Sequence, residues 1–340
     1  MCWNLRGKSY CIENVQYTKE EYLEKIKDFK FSSSKILEML RQRYKDILKH
    51  EVVHRENFSI KTYNSFGSYM TECKDCQNVF FWEGSENCTN CFRGLKSKDC
   101  IDMTGCWKME LSGNNSCCTS SYDLKYSIWT DSARYSEYCD QCLEIDYCFG
   151  CVSLRKKKYC ILNKQYTKEE YEALKEKIID DMRARGEYGK FPPYNMGLCP
   201  YNVSTANIYF PEVTQAYIES KGGYWDDLTG TTVDGISTTM LPDSIDDADE
   251  SITKQALICP VTGWRFNISL DELTFLKKMR IALPRTHFDV RTKERMLTTS
   301  PSKAEAYTCI YCNKDIQAFY PKDWGYEKIA CEACYLKEIA

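Results

Sequence analysis

Cys139-Asp-Gln-Cys142-Leu-Glu-Ile-Asp-Tyr-Cys148-Phe-Gly-Cys151-Val-Ser-Leu-Arg-Lys-Lys-Lys-Tyr-Cys160 is the stretch on which the reading of this chain turns. In isolation, Cys139-x-x-Cys142 and Cys148-x-x-Cys151 look like metal-binding knuckles. A step of 21 residues changes that reading. Cys76, Ser97, Cys118, Cys139 and Cys160 fall in one column, and Ser85, Cys106, Ser127 and Cys148 in another. Val79, Cys100, Ser121 and Cys142 form a third, and Cys88, Met109, Thr130 and Cys151 a fourth. Bulky columns run beside them: Phe80, Ile101, Tyr122, Leu143, then Trp82, Met103, Leu124, Ile145. Columns of small thiols and hydroxyls beside columns of large apolar residues suit the narrow interior of a β-solenoid. Cysteine fits there as a small, readily buried residue. Serine, valine, threonine and methionine in the same columns cannot make a thiolate site. A ladder of free thiols is therefore the preferred reading, and a metal or iron–sulfur handling scaffold the alternative.

A solenoid end must be capped, because it exposes strand edges. Thr167 with Glu170 forms a capping box, and Tyr171, Leu174, Ile178 and Met182 follow at helical spacing. The same unit occurs at the N-terminus. Cys2 to Cys11, followed by Gln16-Tyr-Thr-Lys-Glu-Glu-Tyr22, recurs as Cys151 to Cys160 followed by Gln165-Tyr-Thr-Lys-Glu-Glu-Tyr171. A second helix is expected from Ser34 to about Val53. On this alignment Met1 matches Gly150, in mid-rung. Either the solenoid starts abruptly or further rungs lie upstream.

The C-terminal third carries the strongest chemical motif. Cys309-x-x-Cys312 and Cys331-x-x-Cys334 supply four sulfurs for a tetrahedral Zn2+ site of the zinc-ribbon type. Ile316, Phe319, Tyr320, Trp324 and Tyr326 between them are suited to cover it. A redox dithiol is the alternative. Cys73, Cys76, Cys88 and Cys91 have comparable spacing and form a weaker zinc candidate, since Cys76 and Cys88 also sit in the repeat. Residues 257–296 read as a second ribbon that has lost its metal. Cys259 keeps the first ligand position, whereas Thr262, His287 and Val290 occupy the other three. Residues 275–295 carry seven Lys/Arg against two Asp/Glu, a solvated basic face or a nucleic-acid contact.

His50-Glu51-Val52-Val53-His54 matches the H-E-x-x-H pattern of zinc metalloproteases, in which a helix sets both imidazoles on one face. No cleft or close third ligand accompanies it; Glu72 is distant and sits at the solenoid entrance. A helix terminus is the simpler reading, so no catalytic residue is assigned and the chain leans towards a non-enzyme.

Composition bounds the rest. With 43% hydrophobic and 28% charged residues the chain should fold, and a net charge of −3 argues against a whole-protein polyanion binder. There is no apolar run long enough for a membrane span and no secretory h-region. A cytoplasmic, reducing compartment fits the 21 cysteines.

The chain resembles a group of cysteine-rich repeat and zinc-ribbon proteins from uncultured candidate-phyla bacteria and similar environmental genomes. The likeness rests on Cys148-Phe-Gly-Cys151-Val-Ser-Leu-Arg, on Tyr159 through Tyr171, on Leu283-Pro-Arg-x-His287-x-Asp-Val-Arg291-x-Lys-Glu-Arg295 and on the final Cys-x-x-Cys pair. It implies a longer form with more rungs upstream, and it brings no activity.

The expected class is mainly β with α: a cysteine-rich β-solenoid of about 21-residue rungs with helical caps, followed by zinc-ribbon-like domains. The expected divisions are a rung remnant and helical cap (1–54), the solenoid (55–166), a helical cap and irregular region (167–225), an acidic linker (226–254), the degenerate ribbon (255–300) and the zinc ribbon (301–340). Short helices are expected near Ser204–Tyr209 and Thr214–Ser220. The linker rests on eight Asp/Glu and no Lys/Arg in 226–250; an acidic docking tail is the alternative. The expected function is a non-enzymatic scaffold or binding protein with an unknown protein or nucleic-acid partner and no evident small-molecule substrate.

Overall fold

A computed structural model of the chain describes residues 1–84, 94–95, 106–107, 113–227, 234–299 and 303–339. It is mixed helix and strand and divides into two compact units. One comprises Met1–Glu56, Cys199–Tyr217 and Trp225–Ala340; the other comprises Asn57–Leu198 and Ile218–Tyr224.

The first unit begins with a two-strand hairpin, β1 (Cys11–Ile12) and β2 (Val15–Gln16), turned by left-handed Glu13 and Asn14. Helix α1 (Lys19–Lys25) follows behind the expected capping box: the Thr18 side chain accepts from the Glu21 N–H, and the Glu21 carboxylate accepts from the Thr18 N–H. Helix α2 spans Ser34–Asp46 with Ser33 as its cap. The helix expected to reach Val53 ends earlier. A π-turn over Ile47–Glu51 unwinds it, and His54–Arg55 form strand β3.

The second unit holds the β-solenoid, within 59–161. Its parallel strands are β4 (Ser59–Ile60), β5 (Phe66–Thr71), β6 (Gln77–Glu83), β7 (Gly94–Leu95) and β8 (Cys106–Trp107), then β9 (Tyr122–Lys125), β10 (Arg134–Glu137), β11 (Asp146–Phe149) and β12 (Lys158–Ile161). The rung is shorter than expected. Tyr122 pairs with Arg134, Arg134 with Asp146, and Asp146 with Lys158, so one turn from Tyr122 onwards takes twelve residues, not 21. Nearer β4 the spacing is eleven in places, as in Ser59 on Met70.

The local reason is a three-residue motif. From Cys118 to Cys151 every third residue is buried: Cys118, Ser121, Leu124, Ser127, Thr130, Ala133, Ser136, Cys139, Cys142, Ile145, Cys148 and Cys151. The residue before each of these has positive φ, from Cys117 and Ser120 through to Tyr147 and Gly150. Each left-handed residue bends the chain, and four triplets complete a turn. The step of 21 is also a multiple of three. It therefore found inward positions among the described residues in the small-residue columns and in the Leu124–Ile145 column, but it paired residues that do not stack and counted the Tyr122–Leu143 column, which is not inward, with the interior.

Small thiols and hydroxyls line this interior because they hydrogen-bond twice. Ser136 Oγ donates to the Arg134 carbonyl at 2.9 Å and accepts from the Cys148 N–H at 3.1 Å, one rung on. Ser127 does the same with Lys125 and Cys139. Cys142 and Cys151 repeat the pattern with sulfur, accepting from the N–H groups of Leu154 and Asn163. Serine and cysteine are interchangeable here because both offer one donor and one acceptor on a short stem.

Strand β13 (Lys164–Gln165) turns back antiparallel on β12 and closes the solenoid end. Helix α3 (Lys168–Ala184) then covers it, starting from the second capping box and packing Tyr171, Leu174, Ile178 and Met182 around Phe149 and Ile161. Buried Glu137 ties cap to rungs: its carboxylate lies 2.7 Å from Lys175 Nζ and accepts from Tyr188 Oη at 2.8 Å.

Two short helices follow, α4 (Ala206–Tyr209) and α5 (Gln215–Ser220). The solvated linker is not what forms over 234–254. Strand β14 (Ile236–Ser237) pairs in parallel with β15 (Leu257–Ile258), which pairs antiparallel with β16 (Arg265–Phe266). Leu241, Ile245, Ala248 and Ile252 are buried with Leu257, Phe266 and Leu273, while the acidic residues between them mostly face solvent. Helices α6 (Leu270–Met279) and α7 (Phe288–Met296) complete this core. The final segment contains β17 (Glu305–Thr308), β18 (Asp315–Ala318), β19 (Ile329–Ala330) and α8 (Glu332–Glu338). Among the described residues no helix is long and apolar enough to cross a membrane.

Candidate metal centre

The antiparallel pair β17–β18 is joined by a tight knuckle. The Cys309 N–H donates to the Lys314 carbonyl at 2.9 Å, and the Asn313 N–H donates back to the Cys309 carbonyl at 3.0 Å. Asn313 takes the left-handed conformation this turn requires, and asparagine tolerates it well. Cys309 and Cys312 enter from this knuckle. Cys331 is the N-cap of α8, and Cys334 lies in its first turn.

The sulfurs of Cys309, Cys312, Cys331 and Cys334 all lie within 4.8 Å of one another, and Cys312 Sγ is 3.8 Å from Cys331 Sγ. A Zn–S bond of about 2.3 Å gives a tetrahedral S–S edge of about 3.8 Å, so the four are close enough to hold a metal ion. Among the described residues this is the one group of thiols, imidazoles and carboxylates that converges in this way. Cys309 is buried, yet its thiol is drawn down to about 6. Burial pushes it up, but the N–H groups of Cys331, Cys312 and Tyr311 outweigh it. Cys334 is held up at about 12 by hydrogen bonds with the Cys331 and Cys312 thiols. The N–H groups around Cys309 favour its thiolate, the form in which a cysteine binds a cation.

The centre is braced by the N-terminal segment. Strand β3 adds in parallel to β19, pairing His54 with Ile329 and Arg55 with Ala330. Tyr320 Oη donates to the Arg55 carbonyl at 2.8 Å, and the Glu332 N–H, next to Cys331, donates to the Glu56 carboxylate at 2.7 Å. His54 stacks face to face on Tyr326 at 3.8 Å, and its Nε2 bonds the Leu48 carbonyl at 2.7 Å. Burial lowers this imidazole from its ordinary value against the Leu48 carbonyl bond, which favours the neutral form. His50 lies outside, with Nδ1 2.8 Å from the Glu327 carboxylate. The H-E-x-x-H pattern is therefore not a metal site here: one histidine is on the π-turn and the other on a strand.

The other cysteine candidates resolve differently. Cys73 and Cys76 are buried solenoid residues whose thiols donate to the carbonyls of Thr71 and Lys74. Cys88 and Cys91 lie outside the described residues. Cys139, Cys142, Cys148, Cys151 and Cys160 donate to carbonyls two residues back, and burial holds the Cys118 thiol up at about 12.

Residues 257–296 repeat the knuckle geometry with a single cysteine. The Cys259 N–H donates to the Trp264 carbonyl at 2.9 Å, and the N–H of left-handed Gly263 returns to the Cys259 carbonyl, matching Cys309, Lys314 and Asn313. His287 caps α7 as Cys331 caps α8. Burial raises the Cys259 thiol, but the His287 N–H, the Thr262 hydroxyl and N–H, and the Val261 N–H all point at the sulfur and bring it below its ordinary value. Val290, at the fourth ligand position, is buried in the apolar core. Hydrogen bonds and packing occupy the place of the metal. Sequence reading placed Thr262, His287 and Val290 opposite Cys259; it missed that the Cys259 sulfur has a ring of hydrogen-bond donors.

Three of the seven basic residues in the stretch beside this knuckle are held by carbonyls or carboxylates within the chain. Arg285 donates to the carbonyls of Thr238, Leu241 and Pro242, Arg291 pairs with Glu272, and Arg280 with Asp246. Comparison of the chain with protein-family models, with curated proteins and with solved structures finds no match.

Proposed function

We propose that this chain is a non-enzymatic scaffold or binding protein whose C-terminal ribbon is held by one structural zinc ion. The observation that carries the reading is the convergence of Cys309, Cys312, Cys331 and Cys334 to within 4.8 Å. Four thiolates complete a tetrahedral shell, which leaves no open position for a substrate or an activated water. The metal would fix the β17–β18 knuckle to the start of α8, and through Glu332 it would steady the strand at His54–Glu56. Among the described residues the inward solenoid thiols of Cys73, Cys76, Cys118, Cys139, Cys142, Cys148, Cys151 and Cys160 each bond a carbonyl, which suits packing instead of metal transfer, and a reducing cytoplasm would keep them so. Arg285 and Arg291 are engaged within the chain, which leaves Lys277 and Lys278 as the residues to test for a nucleic-acid contact.

Metal analysis of protein purified without oxygen tests this. About one zinc per chain is expected, with the metal lost in Cys331→Ser. Iron with visible absorbance, or several metals per chain, would sink the proposal. A salt-sensitive shift with RNA or DNA that disappears on neutralising Lys277 and Lys278 would move the assignment to nucleic-acid binding.

A further inference from the structure

Two outward ion pairs bridge neighbouring rungs of the solenoid: Lys156 meets Glu144, and Lys158 meets Asp146, each across one turn. One column of outward residues departs from this arrangement. Thr119, Asp131, Leu143 and Arg155 stack in register, twelve residues apart. Leu143 takes the place between Asp131 and Arg155, so the two charges stand two rungs from one another. At the ordinary strand spacing that is about 10 Å, too far for a pair. Asp131 Oδ1 accepts from the hydroxyls of Thr119 and Ser132. Its Oδ2 and the Arg155 guanidinium have no hydrogen-bond or ion-pair partner among the described residues.

This column forms one wall of a groove of about 330 Å³ that opens to solvent. Trp129 and Leu198 also line it, and they are 57% and 63% exposed. Gln141, one rung on from Trp129, adds an exposed amide. Tryptophan is enriched at recognition surfaces, because its ring offers a large apolar face together with one N–H donor. All of these residues belong to the unit that contains the solenoid. The groove therefore combines a carboxylate at one end, a guanidinium at the other and apolar surface between them.

We propose that this groove binds a short, extended peptide with free termini, its amine at Asp131 and its carboxylate at Arg155. The two ends match in charge, and arginine takes a carboxylate through two parallel hydrogen bonds. Three extended residues span about 10 Å, the separation of the two charges. The middle residue then lies over Leu143, and an apolar side chain there packs against Trp129 and Leu198. The Gln141 amide, which both donates and accepts, suits the backbone of the ligand. An acid at position 143 would have closed the gap within the chain, as Glu144 and Asp146 do for their lysines. The site stands on the solenoid alone and is separate from the metal centre.

The probe is the tripeptide Ala-Phe-Ala, titrated into isotopically labelled full-length protein. The NMR signal of the Trp129 indole N–H, identified by its loss in Trp129→Phe, reports binding. A saturable shift is expected. The peptide acetylated at its amine and the peptide amidated at its carboxylate should each bind about tenfold more weakly. In Arg155→Gln the free and amidated peptides should bind alike, and in Asp131→Asn the free and acetylated peptides should. The capped peptides report on the unaltered protein, independent of how either variant folds. No saturable shift up to about 10 mM peptide, or equal binding of the free and capped peptides, would overturn the proposal. So would a preference for the free carboxylate that survives Arg155→Gln.

Discussion

Replacing Lys175 by Met tests how the helical cap is held on the solenoid. The Glu137 carboxylate is almost fully buried, and its two partners are Lys175 Nζ at 2.7 Å and Tyr188 Oη at 2.8 Å. The Lys175 side chain is about one-fifth exposed, so its ammonium is only partly desolvated. Methionine keeps the apolar stem that α3 directs towards Phe149 and removes the charge alone. The carboxylate is then left buried with one neutral donor. Breaking a buried pair by deleting one partner typically costs 3–5 kcal/mol, and the partial exposure places this case near about 3 kcal/mol. For a unit of roughly 150 residues that is a fall in Tm of about 6–12 °C. Thermal unfolding followed by circular dichroism at pH 7 reads it directly. The double variant Lys175→Met/Glu137→Gln should recover most of the loss, because the amide still accepts from Tyr188 and no charge is stranded. A single variant that loses less than about 1 kcal/mol, or a double variant no more stable than the single, would refute the assignment of Glu137 as the anchor of the cap.

Three further outcomes follow from the same structure. Ser136→Cys should be tolerated within about 1 kcal/mol, whereas Ser136→Ala, which strands the buried Cys148 N–H, should cost about 1–3 kcal/mol in denaturant unfolding. Converting Thr262, His287 and Val290 together to Cys should let the protein bind a second equivalent of zinc or cobalt, read by the cobalt–thiolate absorption band; an unchanged metal count would show that the two knuckles are not equivalent. Asp243 accepts from the hydroxyls of Ser33 and Ser34 and from the Lys35 N–H, which hold its carboxyl down at about 2. Because this value is depressed, the contact with the start of α2 is intact at neutral pH. It weakens as pH falls from the ordinary carboxylate range towards about 2; an NMR titration midpoint near 4 would contradict it.

The inward face of the solenoid was legible because chemistry repeats there: small donor–acceptor side chains must recur wherever a carbonyl and an N–H need both. The rung length was not. Ser127, Cys139 and Cys151 stack at twelve, but so small a set of residue types also matches at 21. The bends gave no warning either, since tyrosine, glutamine, glutamate and lysine hold left-handed positions where glycine or asparagine is the usual signal. At 234–254, acidic composition hid four apolar residues spaced three or four apart, and spacing outweighs composition when one face alone is buried. The four C-terminal cysteines were fully legible, because two Cys-x-x-Cys knuckles leave little freedom in how the sulfurs converge. The strand His54–Arg55 was not, since its partner lies 275 residues away and local sequence carries no trace of it.

That pairing has a consequence for how the molecule resists unfolding. Arg55 meets Glu332 across 277 residues of chain. Drawing together the ends of a flexible loop that long costs on the order of 5 kcal/mol of configurational freedom. While β3 stays seated on β19, everything strung between them is tethered at both ends, and partly opened states that keep the pairing have less breadth than a free chain. The clasp between residues 54–55 and 329–330 then acts as a fastener, and an ion held by the four cysteines would govern the integrity of segments far from its own coordination shell.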